Sequence, residues 1–348
     1  MRIAYILPSL ARFAPNIVIN SIISEVKKKH EVVVYYFDEK EDILHFDCPT
    51  IHISMDEIID FDSYDIIHSN MFRPDKYVYK NRKYIKKAKL VTTVHQDIYK
   101  TLRSLYNVFV ATLMTPIWLR YMSIFTAAVP ISGVVKNLYI KRIPNLSDTI
   151  YNGVSVDYIP TNQEPLYAER IKDLQKRVSI VLGTYAQITY CKGIEQIIDI
   201  VNSRPELGAV IIGEGNAKSS LEDKVKKLGI CDRIIFLPYL KTPYNYLENI
   251  DIYVMPSRSE GFGLAMVEAA FTQTPIICSD IAVFRELFDE TQVAFFKLDD
   301  VISMSLAVDK IIASKDVYVN NSYNHALKFF SKESMSEQYV KLYEYLLG

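Results

Sequence analysis

The sequence predicts an α/β protein built from two Rossmann-like, doubly wound parallel-sheet domains facing a cleft. The chain has 348 residues, about twice the length of an ordinary domain. Short apolar, β-branched runs alternate with amphipathic helical segments through both halves. These runs are mostly apolar without alternation, as expected of strands covered by helices on both faces. Strand, helix, strand order then implies parallel pairing.

Taken in order, residues 3–7 read as the first strand. Ile19, Ile22, Ile23 and Val26 follow at i, i+3, i+4 and i+7, which places one apolar face on a helix. Residues 32–37, 65–68, 90–94 and 127–131 are the next strands, the last ending at Ser132. In the second half, residues 178–182, 209–212, 234–237, 252–255, 276–278 and 293–296 are strands. Helices fall between them, one with Ile194, Ile197, Ile198 and Val201 on a single face. Residues 157–173 contain Pro160, Asn162, Gln163 and Pro165 and read as a linker between the sheets. Residues 331–347 are a final helix with Tyr339, Leu342, Tyr343 and Leu346 on one stripe. The expected division is residues 1–156, residues 157–330, and the terminal helix 331–348.

Composition excludes several classes. Forty basic residues face 41 acidic ones, a net charge of −1, without the basic excess of a general nucleic-acid binder. Cys48, Cys191, Cys231 and Cys278 have neither paired nor metal-ligand spacing and read as reduced thiols. The six histidines are dispersed. The N-terminal apolar run is too short for a signal peptide. The longest apolar stretch, residues 105–119, is interrupted by Pro116 and followed by Arg120, so no membrane span is expected. The chain reads as cytoplasmic. Residues 75–89 carry Lys76, Lys80, Arg82, Lys83, Lys86, Lys87 and Lys89. A single helix there would place Lys76, Lys80, Lys83 and Lys87 on one face, beside the apolar stretch 105–121. That edge is a candidate contact with anionic lipid on the inner membrane face; a solvated basic face is the alternative.

The most informative stretch runs from Met255 to Ala270. A strand ends at Met255, Gly261 and Gly263 occupy the turn, and a helix pattern starts near Leu264. Such a strand, loop, helix unit presents backbone N–H groups and a positive dipole end to an anion such as phosphate. Glu260 lies in the loop and Glu268 about one turn inside the helix. Carboxylates there suit hydroxyl groups rather than phosphate, as the acidic residue does with ribose in dinucleotide folds. The local physics points to a nucleoside diphosphate joined to a polyol.

With seven residues between them, Glu260 and Glu268 resemble the paired-glutamate signature of the retaining glycosyltransferases of family 4, which have the GT-B fold. Lys192-Gly193, Gly213-Glu214-Gly215 and Phe236-Leu237-Pro238-Tyr239 resemble further donor-domain landmarks of that family. In the first half, Val94-His95, Ile131-Ser132 and Tyr151-Asn152-Gly153-Val154 do the same. The resemblance runs through the whole chain. It implies that Glu268 binds the ribose, Glu260 holds donor-sugar hydroxyls, and the amides of Phe262, Gly263 and Leu264 meet sugar and phosphate. Gly213 and Glu214, with Leu237 and Pro238, would lie beside the nucleotide. Lys192 would neutralise the leaving diphosphate, and His95 would orient the reacting sugar. It also implies that the terminal helix crosses back to the first domain. The donor would be a nucleotide sugar, a UDP-sugar first of all, and the acceptor a carbohydrate or lipid-linked carbohydrate in surface polysaccharide or glycoconjugate synthesis. No cofactor beyond the donor is expected, and no metal. Asp60-Phe61-Asp62 mimics a metal-binding motif of other glycosyltransferases but reads as a solvated turn.

The chain departs from the family pattern twice. Thr184 stands where an arginine is usual, so one diphosphate cation must come from elsewhere, with Arg258 and Arg12 as candidates. The first loop, from Pro8 to Pro15, lacks the usual glycine pair, so either the backbone approach is looser there or Ser9 and nearby amides substitute. These departures keep two other readings open: a catalytically weak partner subunit, and a nucleotide-sugar epimerase of the same fold.

Overall fold

The computed structural model describes residues 1–155 and 163–348. They form two compact units, Met1–Val154 with Phe329–Gly348, and Ser155–Lys328. The expected boundary at residues 156 and 157 lies outside the described residues.

The first unit contains β1 (Arg2–Ser9), α1 (Ala14–Val26), β2 (Glu31–Asp38), β3 (Thr50–His52), β4 (Ile66–Asn70), α2 (Phe72–Asn81), β5 (Lys89–Val94), α3 (Ile98–Leu105), α4 (Val108–Met122), β6 (Ala127–Pro130) and α5 (Gly133–Tyr139). Its strands lie in the order β3-β2-β1-β4-β5-β6, and every pairing is parallel. The second unit contains α6 (Pro165–Gln175), β7 (Ile180–Tyr185), α7 (Glu195–Ser203), β8 (Leu207–Ile212), α8 (Lys218–Leu228), β9 (Ile234–Leu237), β10 (Ile252–Met255), α9 (Leu264–Phe271), β11 (Ile276–Ser279), α10 (Ala282–Leu287), β12 (Ala294–Phe296), α11 (Val301–Ala313) and α12 (Lys315–Phe329). Its order is β12-β11-β10-β7-β8-β9, again parallel throughout. Read from their first strands, both sheets follow the 3-2-1-4-5-6 pattern of a dinucleotide fold.

Buried strands explain the unbroken apolar runs. All six residues of β8 are buried, packed with Ile194, Ile197, Ile198 and Val201 of the segment around α7 in one continuous core. The last helix, α13 (Lys332–Leu347), belongs to the first unit. It buries Met335, Tyr339 and Tyr343 and packs against α1. A buried polar network anchors it. The Tyr343 hydroxyl lies 2.7 Å from His68 Nδ1 and 3.2 Å from the Tyr5 hydroxyl. On the other side of the ring, His68 Nε2 meets Thr93 Oγ1 at 2.8 Å, and Thr93 meets the Tyr339 hydroxyl at 3.0 Å. Burial holds His68 at a pKa of about 3, so the ring is neutral within this network.

Three expectations need correction. The linker reading of residues 157–173 fails from Pro165 onward, where α6 begins with proline in its first turn, a position that favours helix entry; its residues 157–162 lie outside the described residues. The basic stretch 75–89 is not one helix. α2 stops at Asn81, a 3₁₀ turn covers Arg82–Tyr84, and Asp62 Oδ1 accepts from the backbone N–H groups of Lys86 and Lys87. Those bonds draw the chain out of the helix, so Lys83 and Lys87 do not extend the Lys76 and Lys80 face. Asp75, expected on that basic surface, is fully buried instead. The edge strand β3 has no forerunner in the pattern, because its three residues are all exposed. Among the described residues, no helix is long and apolar enough to cross a membrane.

Candidate functional site

In a doubly wound sheet the ligand crevice opens beyond the carboxyl ends of the strands, where their order reverses. In the second unit that point lies between β7 and β10, which pair directly. The segments leaving these two strands carry most of the donor-side residues singled out in the sequence.

After β7 the chain forms a short 3₁₀ turn, Tyr190–Lys192, closed by Gly193 in the left-handed region at φ +63°. A Cβ on Gly193 would sit 2.1 Å from the Pro256 carbonyl oxygen, so only glycine lets this turn lie against the loop after β10. Gln196 fastens the contact. Its amide donates to the carbonyls of Gly193 (3.0 Å) and Pro256 (2.9 Å), while its oxygen accepts from the Asp299 backbone N–H at 2.7 Å. The result is a fixed Lys192, whose ammonium donates to Glu260 Oε1 at 2.6 Å. The Ser257 hydroxyl donates to the same oxygen at 2.8 Å. Lys192 and Glu260 are therefore held as a positioned ion pair at the mouth of the loop.

The loop then enters α9 through Gly263 as its N-cap, with Phe262 buried beneath. One turn on, Glu268 shares a helix face with Leu264. Its Oε2 accepts from the Tyr185 hydroxyl at 2.8 Å. Burial pushes the Glu268 carboxyl up to about 7, with the Tyr185 hydrogen bond acting in the opposite direction. Some of the residue still reaches solvent. The carboxylate is thus poised between its two protonation states at neutral pH, with one hydroxyl donor already supplied at the end of β7.

The other donor-side residues are placed as follows. Gly213 (φ +144°) lets the chain pass within bonding distance of the segment after β7: a Cβ there would meet the Ala186 carbonyl at 2.0 Å. Glu214 next to it is paired with Lys218 on the surface. The Leu237 side chain is fully buried, so only its backbone reaches the sheet edge, where its carbonyl accepts from Gly213 N–H at 3.0 Å. Pro238, half-buried, follows it. Thr184 is buried within β7. Arg258 is already neutralised: its guanidinium pairs with Glu195 at 2.6 Å and with Asp299, and lies over the Tyr190 ring. It braces the Lys192 turn.

In the first unit, Ser9 ends β1 at the corresponding switch point between β1 and β4. Its hydroxyl accepts from the Ala11 N–H at 3.3 Å, and Asn16 ties the same loop to the Ser9 and Ala11 carbonyls. Arg12 follows, with its buried Nε unpaired. At the end of β5, His95 Nε2 lies 2.5 Å from Asn70 Oδ1, so Nε2 carries the proton and Nδ1 is left as an acceptor. Burial lowers the His95 pKa to about 3, which keeps the ring neutral. Asn70 is fully buried and its amide nitrogen has no partner. Met71 beside it adopts φ +78° and ψ +173°, a region almost confined to glycine. Behind His95, a small cavity is lined by Met71, Thr93, Ile98, Trp118 and Met122. Asp75 accepts from Ser69 (2.5 Å), Thr92 (2.8 Å) and Trp118 Nε1 (2.7 Å), joining α2, β4, β5 and α4. Asp60 precedes and Asp62 lies within a 3₁₀ turn whose Phe61 is buried, and Asp62 is occupied by backbone donors.

Sequence reasoning missed Tyr185, Ser257, Gln196, Asn70 and Asp75. Ser257 lies inside the Met255–Ala270 stretch but carries no signal of its own there, and Tyr185, Gln196, Asn70 and Asp75 each act through a hydrogen bond to a residue distant in sequence. The non-glycine positive φ of Met71 has no signature in the sequence.

Two parallel 3-2-1-4-5-6 sheets, one with the Lys192–Glu260 pair and Glu268 at its switch point, have the architecture of the GT-B glycosyltransferases. Comparison with known proteins agrees. The glycosyl transferases group 1 model matches residues 168–327, the helices and strands that carry this constellation. The O-antigen biosynthesis glycosyltransferase WclY of Escherichia coli is 29% identical over 99% of both chains. The lipopolysaccharide core biosynthesis mannosyltransferase LpsB of Rhizobium meliloti is 30% identical over 30% of this chain and 33% of its own. Among solved structures, Anabaena HepE in complex with UDP and glucose superposes with a TM-score of 0.77 at 16% identity, covering 99% of this chain and 100% of that one. Residues 168–327 carry the group 1 glycosyltransferase domain, and the chain has the GT-B fold.

Proposed function

We propose that the protein transfers a sugar, with retention of anomeric configuration, from a UDP-sugar to a carbohydrate or lipid-linked carbohydrate acceptor in surface polysaccharide synthesis. The observation that carries this reading is the pairing of Lys192–Glu260 with Tyr185–Glu268 at one switch point. Glu268 would take the ribose hydroxyls, and Glu260 the sugar hydroxyls. Lys192 would follow the charge that develops on the diphosphate as the glycosidic bond breaks, often the largest catalytic contribution. The acceptor oxygen bonds to the anomeric carbon on the face the phosphate oxygen leaves, and that phosphate oxygen takes the acceptor proton. His95, neutral and held by Asn70, would accept a sugar hydroxyl at Nδ1 rather than supply charge. With Arg258 already neutralised and Thr184 buried, Lys192 is the diphosphate cation that this unit supplies. No metal takes part in this scheme. The work would be done at the cytoplasmic face of the membrane. WclY and LpsB, named for O-antigen and lipopolysaccharide core synthesis, favour a surface-glycan acceptor, and HepE with bound UDP favours a uridine donor.

The test is a transfer assay with UDP-hexoses and a glycan acceptor, in buffer containing EDTA. The product's anomeric proton coupling should match that of the donor, and Lys192→Ala and Glu260→Gln should each lower turnover by about a hundredfold or more. An inverted product removes the retaining mechanism. Binding of UDP without any transfer favours a partner subunit, a reading that the buried Thr184 supports. Isomerised donor without acceptor favours an epimerase.

A further inference from the structure

The helical hairpin that follows His95 turns an unpartnered apolar tip to solvent. Leu105 is 67% exposed, Tyr106 66%, Val108 52%, Phe109 76% and Leu113 54%. Five large apolar side chains exposed within residues 105–113 exceed the scattered single exposures of an ordinary surface. The inner face of α4 explains why they point outward. Ala111, Thr115, Trp118 and Met122 are buried on one stripe, and Trp118 is fixed by its bond to Asp75. The opposite stripe, Phe109, Leu113 and Pro116, is thereby presented to solvent and ends at the exposed Arg120. Asp97 and Asn107 cap the two helices through the backbone N–H groups of Lys100 and Val110, so the tip is an ordered structure.

Charge identifies the partner. Residues 66–147 hold fourteen Lys and Arg against only Asp75 and Asp97, in a chain whose net charge is −1. Asp75 is fully buried, and no acidic residue occurs from 98 to 147. Lys100 and Arg103 are exposed on the helix leading to the tip. An apolar tip flanked on its own helices by the exposed Lys100, Arg103 and Arg120 matches an anionic bilayer: rings and aliphatic chains enter below the headgroups while ammonium and guanidinium groups meet the phosphates. This is not the basic helix face expected from residues 75–89.

We infer that the α3–α4 tip inserts into an anionic lipid surface through Leu105, Tyr106, Val108, Phe109 and Leu113. Ile98, Trp118 and Met122 of the same hairpin line the cavity beside His95. The hairpin thus joins the lipid contact at its tip to the cavity beside His95 at its base, the end toward which a lipid-linked acceptor would extend. The docking itself stands on exposure and charge; its use in acceptor delivery rests on the proposed transferase reading.

Flotation with vesicles of phosphatidylcholine containing phosphatidylglycerol, against phosphatidylcholine alone, tests the docking without any sugar substrate. The full chain should float with the anionic vesicles, and high salt should weaken the association. The triple variant Leu105→Ser, Phe109→Ser, Leu113→Ser should lose at least tenfold in vesicle partition. Its melting temperature and its transfer to a water-soluble acceptor should stay within twofold of the parent enzyme. The charge variant Lys100→Glu, Arg103→Glu should lose binding to anionic vesicles with the apolar tip intact. Wild-type chain that stays in solution, or a triple variant that floats undiminished, overturns the inference. A chain that self-associates through the tip and ignores vesicles assigns the patch to a second copy and overturns it equally. Flotation with no transfer activity would leave the docking standing and sink the transferase reading instead.

Discussion

Burial holds the Glu268 carboxyl at a pKa of about 7, above its ordinary value of 4.5. A raised carboxyl favours the native state while protonated; that contribution is present below about pH 4.5 and is lost as pH rises through about 7. Glu268→Gln should therefore gain stability over the wild type on going from pH 5 to pH 8, by roughly 1–3 kcal/mol. Chemical denaturation at the two pH values measures it; equal differences at both would place the carboxylate in water. Ribose hydroxyls prefer the ionised form, so UDP affinity should climb several-fold from pH 6 to pH 8 in the wild type and stay flat in the variant, read by titration calorimetry. Lys192 is a separate case. Lys192→Ala should leave nucleotide binding within a few-fold while lowering kcat by about 10²–10³; an unchanged kcat would reduce Lys192 to a partner of Glu260. Both glutamates and the lysine were legible in the sequence because their spacing and flanking glycines recur as a motif. Tyr185 and Asn70 were not, since nothing local marks a tyrosine at a strand end or a buried asparagine for one particular partner.

At the level of elements, the polar contacts that aim the site outweigh the motifs that name it. Asp75 ties α2, two strands and α4 together through three side-chain donors. Asp75→Ala would leave the Ser69, Thr92 and Trp118 donors buried without a partner, a loss of about 3 kcal/mol or more. Urea unfolding should show this loss, and Trp118 fluorescence should shift, since it is the single tryptophan of the chain. A loss below about 1 kcal/mol would mean water replaces the carboxylate. In the sequence this aspartate read as part of a basic surface. The charges around it gave no sign of the break at Asn81, which depends on Asp62, nineteen positions upstream and reached only in three dimensions. Strands were easier to place: β9 and β10 coincide with their expected bounds because an apolar run flanked by polar residues is a local property. The exposed β3 lacks that signal and was overlooked.

For the whole molecule, the chain's return to its first unit is the feature least visible in sequence. The stripe on α13 said that the helix packs; only the resemblance said where. Tyr343 and Tyr339 insert hydroxyls into the His68 and Thr93 network of the first sheet. Tyr343→Phe should cost about 1–2 kcal/mol by leaving His68 and Tyr5 one partner short. A chain ending at Phe330 should lose the first unit's cooperative transition while the second, closed by α12, retains its own. Scanning calorimetry distinguishes the two, and a truncated chain with an unchanged first transition would show that α13 is an accessory. The two sheets share one strand order, but the apolar tip and basic surplus belong to the first and the carboxylate pair to the second.

The central claim is that the β7–β10 switch point binds a nucleoside diphosphate through Glu268. Titration calorimetry of the wild type and Glu268→Ala with UDP, GDP, ADP and CMP tests it directly. Binding of UDP in preference to the others, lost or weakened at least tenfold in a variant that keeps its melting temperature, is the expected result. Equal binding by both proteins, or none by the wild type, would contradict the assignment.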